Sequence, residues 1–562
     1  MDNIKVCALG GLDENGRDCY LIEINDDIFV IDAGTTLPDK NVPGVDYLIP
    51  NFEYIVANKN RIKAYIISHG HDENMAALKY FYDFAPAPIY CTYATRQYLK
   101  SQCRLLGIKE QFVFELVNPS DKKVIAGREI NFFQTCHNFS QSFGVAISTD
   151  KGNIVYSGDF IIDFSVKNDN FKFDLSMLGR IAEKPTLLLM TESKGARKEG
   201  YCSPKHRIYH QVKNIFKDSG KRIFISCYWE NLFRITEIIN LCRETGRKLF
   251  FYNAYTKIVM NELLKIDQSL ISPTEIIDDQ DLLRVRKEET VILILGQDSD
   301  LFDEINKLAL GASDDKRIIL TPDDIFISSA IARPSLEMVQ TRSIDNLYRA
   351  GCRVIWLKGK DVIPMHAQED DLKLFLSLLK PQYYLPIRGD FVSMMANARL
   401  ALNCGVGLNH NRVFVIDNGM QLAFSDTGRV NIIPNEINKI NVTPILVAGR
   451  GVSHIGEEII EDRKKLGVDG VVVVAANVSC TKRAITSGPD CQMRGFVHVK
   501  EAEPLLKYVM NTFSDEINNA FLKDNYPNFE QLKKAIADRI YYFIRRETGR
   551  EPFILPIIIV EK

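Results

Sequence analysis

The sequence predicts an α/β protein of several domains, in which stacked sheets flanked by helices precede a parallel-sheet unit and a small C-terminal block. Three observations carry that reading. The chain has 562 residues, enough for three or four domains at about 150 residues each. Up to about residue 160 it is dense in short apolar runs bounded by turns, the pattern of paired sheets. From about residue 205 helical patterns alternate with such runs, which argues for βαβ units and a parallel sheet.

Taken in order, Ile4-Lys5-Val6-Cys7-Ala8-Leu9 runs into Gly10-Gly11 and reads as the first strand. Cys19-Tyr20-Leu21-Ile22-Glu23-Ile24 and Ile28-Phe29-Val30-Ile31-Asp32 flank the turn signal Asp26-Asp27. Ala64-Tyr65-Ile66-Ile67-Ser68 ends at His69-Gly70-His71. Further strands are predicted at 127–133, 142–147 and 154–159. Helices at 207–216 and 232–244 then alternate with strands at 221–226 and 248–251. Short strands return after Gly351, including Tyr383-Tyr384-Leu385-Pro386-Ile387. A polar stretch containing Pro434 reads as a linker. The last block carries a strand at 469–474, an amphipathic helix at about 529–546 and a strand at 552–560.

Composition excludes several classes. Hydrophobic residues at 46% and charged residues at 25% are those of a globular chain, not a disordered or collagenous one. Seventy Lys and Arg against 72 Asp and Glu leave a formal charge of -2, so nucleic acid can be met only by a local basic patch. Twelve scattered cysteines without a C-x-x-C pair read as reduced thiols of a cytoplasmic protein. No apolar signal core and no run of 18 apolar residues is present, so no membrane partner is expected.

The chemistry concentrates at His69 and His71. Two histidines at i and i+2 after a strand can share one metal ion. His137 ends the run Phe132-Phe133-Gln134-Thr135-Cys136, and Asp159 closes a strand after Ser157-Gly158. Three neutral imidazoles and a carboxylate make a zinc shell. Any one of these histidines alone reads more readily as a surface or core residue, since an isolated H-x-H is a weak motif.

Their succession adds information. Gly10-Gly11-Leu12-Asp13-Glu14-Asn15-Gly16-Arg17, Ile31-Asp32-Ala33-Gly34, Ser68-His69-Gly70-His71, Thr135-Cys136-His137 and Ser157-Gly158-Asp159-Phe160 follow in an order that resembles the metallo-β-lactamase superfamily, its RNA-processing β-CASP branch, and most closely the bacterial ribonuclease J family. Gly44-Val45-Asp46-Tyr47-Leu48-Ile49-Pro50, Ile344-Asp345-Asn346-Leu347-Tyr348-Arg349-Ala350-Gly351, Asp371-Leu372-Lys373-Leu374 and Arg494-Gly495-Phe496-Val497 extend the resemblance over nearly the whole chain. It implies a metallo-β-lactamase αββα sandwich in two parts, 1–205 and 355–425, an inserted β-CASP domain at 206–354, a linker at 426–445 and a small α+β C-terminal domain at 446–562.

The chain departs from the family where the second metal would bind. The family's H-x-H-x-D-H motif reads His69-Gly70-His71-Asp72-Glu73-Asn74, so Glu73 and Asn74 replace the last Asp and His. A further histidine ligand of the family is matched by Arg388 in Pro386-Ile387-Arg388-Gly389-Asp390. A guanidinium cannot ligate a metal; it repels a divalent cation or stands in for one. The family's phosphate-holding Ser-Gly-His-Gly-Ser is matched by Pro364-Met365-His366-Ala367-Gln368, and its acidic residue after the entry strand by Glu192. By resemblance Glu73, Asp159, Glu192 and His366 are the catalytic candidates, His69, His71, His137 and Asp159 the metal ligands, and His366, Arg333 and Arg388 the RNA phosphate contacts. His366 also reads as a hydrogen-bonded buried histidine, and the basic residues Lys533, Lys534, Arg539, Arg545 and Arg546 as a solvated helix face.

The expected function is therefore a ribonuclease J-like protein of bacterial RNA decay and processing whose own phosphodiester hydrolysis is weak or lost, with one zinc ion or none. The alternative is a non-catalytic RNA-binding or structural subunit of a ribonuclease J complex. Expected partners are single-stranded RNA and, as a homo- or hetero-oligomer, an active ribonuclease J paralogue of the kind that accompanies degenerate second copies in this family.

Overall fold

A computed structural model describes residues 1–38, 42, 44–109, 111–266, 270–333, 336–425, 429–448, 451–452, 457–495 and 503–561. The chain divides into two compact units, Met1–Thr36 with Leu48–Ile445, and Leu37–Tyr47 with Leu446–Lys562. Phe496 and Val497 of the sequence motif above, and residues 426–428, lie outside the described residues.

The first unit is built on two facing sheets. One is ordered Val430–Ile433, Gln421–Phe424, Ile4–Gly10, Cys19–Ile24, Asp27–Ile31, Ile62–Ile66, Ile89–Cys91, Phe114–Leu116. The other runs Tyr383–Ile387, Thr186–Glu192, Gly152–Tyr156, Phe143–Thr149, Arg128–Gln134, Lys122–Ile125. Side chains alternate across each strand, which decides where they pack. Thus Phe132, Val145, Ile154 and Leu188 join Val6, Ile22 and Phe29 between the sheets. Their neighbours Phe133, Ala146, Val155 and Leu189 face outward onto Leu178, Phe375, Leu376 and Leu400. Those last four belong to the helices Leu175–Ile181, Glu369–Leu379 and Phe391–Asn403. This is the αββα sandwich that the resemblance implies.

Between Thr186–Glu192 and Tyr383–Ile387 the chain forms a separate five-stranded sheet, ordered Lys248–Phe251, Thr290–Gly296, Ile223–Tyr228, Ile325–Ser328, Arg353–Trp356 and parallel throughout. The alternation of helix and strand patterns beyond residue 205 anticipates it. The two strands that bracket the insert are themselves parallel partners, with Glu192 opposite Ile387.

Of the stretch expected to be a linker, the described residues 429–445 group with the first unit. Val430–Ile433 pairs antiparallel with Gln421–Phe424 at the sheet's edge, and Asn435–Asn438 is a short helix. Pro434 follows the strand, where its missing N–H costs no ladder bond. In the second unit Val471–Ser479 lies between Ala484–Arg494 and Phe553–Glu561. Val472, Val474 and Val478 on one face of that strand pack on Val509, Phe513, Ile517, Ile536, Ile540 and Ile544 of the helices Glu503–Lys523 and Phe529–Thr548. All twelve cysteines are free thiols. Among the described residues no helix is long and apolar enough to cross a membrane.

Residues 33–35 anchor the histidine motif. Ala33 and Thr35 N–H donate to the carbonyls of Asn74 and Asp72 at 2.6 and 2.8 Å, and Gly34 N–H donates to Asp18 O at 2.9 Å. A Cβ at Gly34 would lie 1.5 Å from Glu73 O, an overlap with backbone that no rotamer relieves. Gly34→Ala is expected to cost about 3 kcal/mol or more. The midpoint of the first urea transition of the full chain measures it, and an unchanged midpoint would contradict this packing.

Candidate metal centre

Four side chains converge where strands of both sheets end. His69 and His71 follow the strand Ile62–Ile66, His137 follows Arg128–Gln134, and Asp159 follows Gly152–Tyr156. Gly70 lies against the Phe139 ring, which a Cβ would strike at 2.4 Å. Behind the motif, Asp32 accepts the Ser68 N–H at 2.8 Å, the Ser68 hydroxyl at 2.9 Å, the Asn74 amide at 2.9 Å and the Tyr156 hydroxyl at 2.5 Å.

These bonds set the tautomers. With the Ser68 proton given to Asp32, its Oγ accepts the His69 Nδ1–H at 3.0 Å, leaving a lone pair on His69 Nε2. His137 Nδ1–H donates to Met365 O at 2.9 Å, with the same result. His71 Nδ1 lies 3.0 Å from His69 Nε2 and 3.4 Å from His137 Nε2. Asp159 Oδ2 lies 3.8 and 3.5 Å from those two Nε2 atoms. Burial, then the neighbouring imidazoles, holds His69 and His137 well below the usual histidine range, and burial holds His71 down to about 3. Three neutral imidazoles with convergent lone pairs and a carboxylate are a metal donor set. Asp159 Oδ1 is buried without a hydrogen-bond partner, which fits a cation beside it.

The adjoining acidic half contains Arg388 instead. Its side chain is 1% exposed. Nη1 lies 2.7 Å from Asp18 Oδ2 and donates to Asn74 Oδ1 at 3.0 Å. Nη2 lies 2.5 Å from Glu73 Oε2 and 2.9 Å from Asp159 Oδ2. Lys194 Nζ donates to Glu73 Oε2 at 2.8 Å. Two covalent cations are thus set among three carboxylates. Burial works against ionising Glu73, but Lys194 and Arg388 outweigh it and hold its carboxyl well below the usual range. A divalent ion would have to displace the guanidinium. Asp159 divides the centre, facing imidazoles on one side and Arg388 on the other.

Glu192 Oε1 accepts the Phe160 and Ala367 N–H groups at 2.9 and 3.1 Å, and Oε2 lies 2.6 Å from His366 Nδ1. That nitrogen is 3.8 Å from Asp159 Oδ2, so Asp159, Glu192 and His366 form a second potential ligand group. Burial raises Glu192 to about 7 and lowers His366 to about 3. His366 is thus hydrogen-bonded and at the edge of the centre. Arg333 pairs with Glu230 and, at 2.9 Å, with Asp298. Both arginines expected at RNA phosphate are therefore engaged by carboxylates. On the last helix Lys533, Arg539, Arg545 and Arg546 pair with Glu530, Glu516, Glu551 and Glu547.

Three participants escaped the sequence reading. Asp18 and Lys194 are single charges beside motifs. Asn397 donates to Thr191 Oγ1, Glu192 O and Ser193 Oγ at 3.2, 3.0 and 3.1 Å, tying its helix to the strand that presents Glu192.

Comparisons with known proteins place the chain beside one family. Residues 220–347 match the family description "Ribonuclease J, beta-CASP domain", and residues 458–560 match "Ribonuclease J C-terminal domain". Proteins named Ribonuclease J 2 from Staphylococcus saprophyticus, Staphylococcus epidermidis and Staphylococcus aureus are each 28% identical over 556 residues, covering 99% of this chain and 98% of theirs. A crystal structure titled as a protein of unknown function from Enterococcus faecalis V583 aligns with a TM-score of 0.52 at 16% identity, over 75% of this chain and 100% of its own, a likeness of fold.

Removing one partner of a buried ion pair strands the other. Arg388→Met is expected to cost about 3–5 kcal/mol in unfolding measured with chelator present, and Arg388→Lys to cost less. A loss below about 1 kcal/mol would show that the guanidinium does not balance these carboxylates.

Proposed function

The chain belongs to the ribonuclease J family, and on that premise we propose that it is a member whose own phosphodiester hydrolysis is weak or lost, working in cytoplasmic RNA decay and processing. The observation that carries this reading is the Arg388 guanidinium, 2.5–2.9 Å from Asp18, Glu73 and Asp159. Two-ion hydrolysis clamps the attacking and leaving oxygens between two metals, and here a cation of the chain occupies the acidic half. We assign at most one zinc, held by His69, His71, His137 and Asp159. When bound, such an ion supplies Lewis acidity toward a phosphodiester oxygen. The chain's own contribution is a carboxyl–imidazole pair, Glu192 and His366, that can hold a proton at its edge, and a fixed positive charge at Arg388. The alternative, an RNA-binding or structural subunit without turnover, is favoured by the same guanidinium.

Elemental analysis of the purified full chain is expected to give no more than one metal per molecule. Glu73→Asp, Asn74→His and Arg388→His together, with Asp18→Asn to remove the charge left unpaired, are expected to admit a second ion and raise hydrolysis of single-stranded RNA, while each alone does little. Two stoichiometric metals in the unmodified protein would sink the reading.

We further propose assembly with a second copy or an active ribonuclease J paralogue. Leu555, Ile557 and Ile559 on the strand Phe553–Glu561 are exposed, and apolar side chains in that row suit pairing. Light scattering is expected to show a dimer or larger species, reduced to monomer by Ile557→Lys with Ile559→Lys. A monomer at micromolar concentration, alone and with the paralogue, rules assembly out.

A further inference from the structure

A cavity of about 390 Å³ opens beside Lys194 and is lined by Asn15, Lys194, Arg197, Lys198, Asp390 and Ser393. Its volume lies within the range that holds a nucleotide-sized ligand. Three of its six lining side chains are cations, all from one loop. That loop is fixed at several points. Ala196 N–H donates to Ser193 O and Lys198 N–H to Gly195 O, at 3.0 and 2.9 Å, so consecutive tight turns bring the three cations together. Ser193 N–H donates to Arg388 O at 2.9 Å, and Glu369 N–H donates to Lys198 O at 3.0 Å, so both ends are tied to the sandwich. A Cβ at Gly195 would strike Ala367 O at 2.2 Å, another close approach that fixes the loop's path.

The charges are unbalanced. Lys194 reaches inward to Glu73. Arg197 and Lys198 are exposed, and neither forms an ion pair among the described residues. The one carboxylate in the lining, Asp390, accepts the Ser393 N–H at 2.8 Å and caps the helix Phe391–Asn403. Phe391, the residue after Asp390, is 49% exposed. Cations grouped at a cavity suit a nucleotide phosphate, and the exposed Phe391, which follows the lining residue Asp390 in sequence but does not line the cavity, is an aromatic face on which a base could stack.

We propose that this cavity holds a phosphate of a ribonucleotide on Arg197 and Lys198, with Phe391 available to stack on the attached base and Lys194 linking the cavity to the acidic half of the centre. It rests on the RNA-binding reading above. The shared chemistry is the nucleotide phosphate, whether carried in a strand or free as a mononucleotide.

Fluorescence anisotropy of a labelled single-stranded oligoribonucleotide, titrated with the full chain at several salt concentrations, tests it. Arg197→Glu with Lys198→Glu is expected to weaken binding at least about tenfold, and Arg197→Gln with Lys198→Gln to reduce the slope of log K against log salt by about 1.4, or 0.7 for each lost contact to a single strand. Phe391→Ala is expected to weaken binding without changing that slope. The same charge reversal at Lys533 and Lys534 is expected to leave affinity unchanged. Competition by adenosine monophosphate in the unmodified protein, lost in the double variant, assigns the site to free mononucleotides as well; no competition assigns it to the strand. If the unmodified chain binds RNA and the Arg197 and Lys198 variants bind equally well with the same slope, the cavity is not the site and the RNA-binding reading survives. If the unmodified chain binds no RNA, both fail together.

Discussion

A guanidinium sealed among carboxylates is the constraint around which the first unit is organised. Arg388 cannot lose its proton, so burying it requires carboxylates in place around it, even though burial pushes Asp18 up to about 8 and Asp159 up to about 6. Those partners come from distant stretches of chain: Asp18 before the second strand, Glu73 and Asn74 from the histidine motif, and Asp159 from the second sheet. The backbone at Arg388 is left-handed, at φ +52°, and is held there because its N–H donates to Gly11 O while its carbonyl accepts from Ser193. A single side chain therefore ties together four segments of the chain.

Asp159 separates two halves with different thermodynamics. A metal among the imidazoles is governed by mass action, so its occupancy follows the ion's concentration and the protonation of its ligands. The cations of the acidic half are covalently part of the chain and do not dissociate. Lys194 and Arg388 offset most of the negative charge of Asp18, Glu73 and Asp159 at any metal concentration.

Much of this was legible in the amino-acid order. Short apolar runs bounded by turn residues located Cys19–Ile24, Lys248–Phe251 and Tyr383–Ile387 at their observed limits, because buried strands end where turn residues begin. The histidines and Asp159 were visible because residues able to hold a metal follow strand ends in that succession, and the structure brings the four together. Arg388 was visible as a residue of the wrong chemistry in a matched segment. Asp18 and Lys194 carried no spacing signal, since an isolated charge beside a glycine-rich turn reads as solvated until the fold closes over it. Nor could local pattern show that Leu37–Tyr47 groups with the C-terminal unit, or that the polar stretch around Val430–Ile433 completes a sheet edge. Both depend on pairings across hundreds of residues.

The parallel pairing of Thr186–Glu192 with Tyr383–Ile387 also fixes an order of events during synthesis. The chain emerges from the ribosome N-terminus first, so the imidazoles, Asp159 and every carboxylate partner of Arg388 are made before the insert, and the guanidinium only after it. Because the insert has its own parallel sheet, its folding brings its two ends together and spares the sandwich an open-chain closure of nearly two hundred residues. Until residue 388 is made, the acidic half holds Lys194 but lacks its guanidinium. A nascent chain stalled within the insert would display a cation-hungry surface that the finished protein hides.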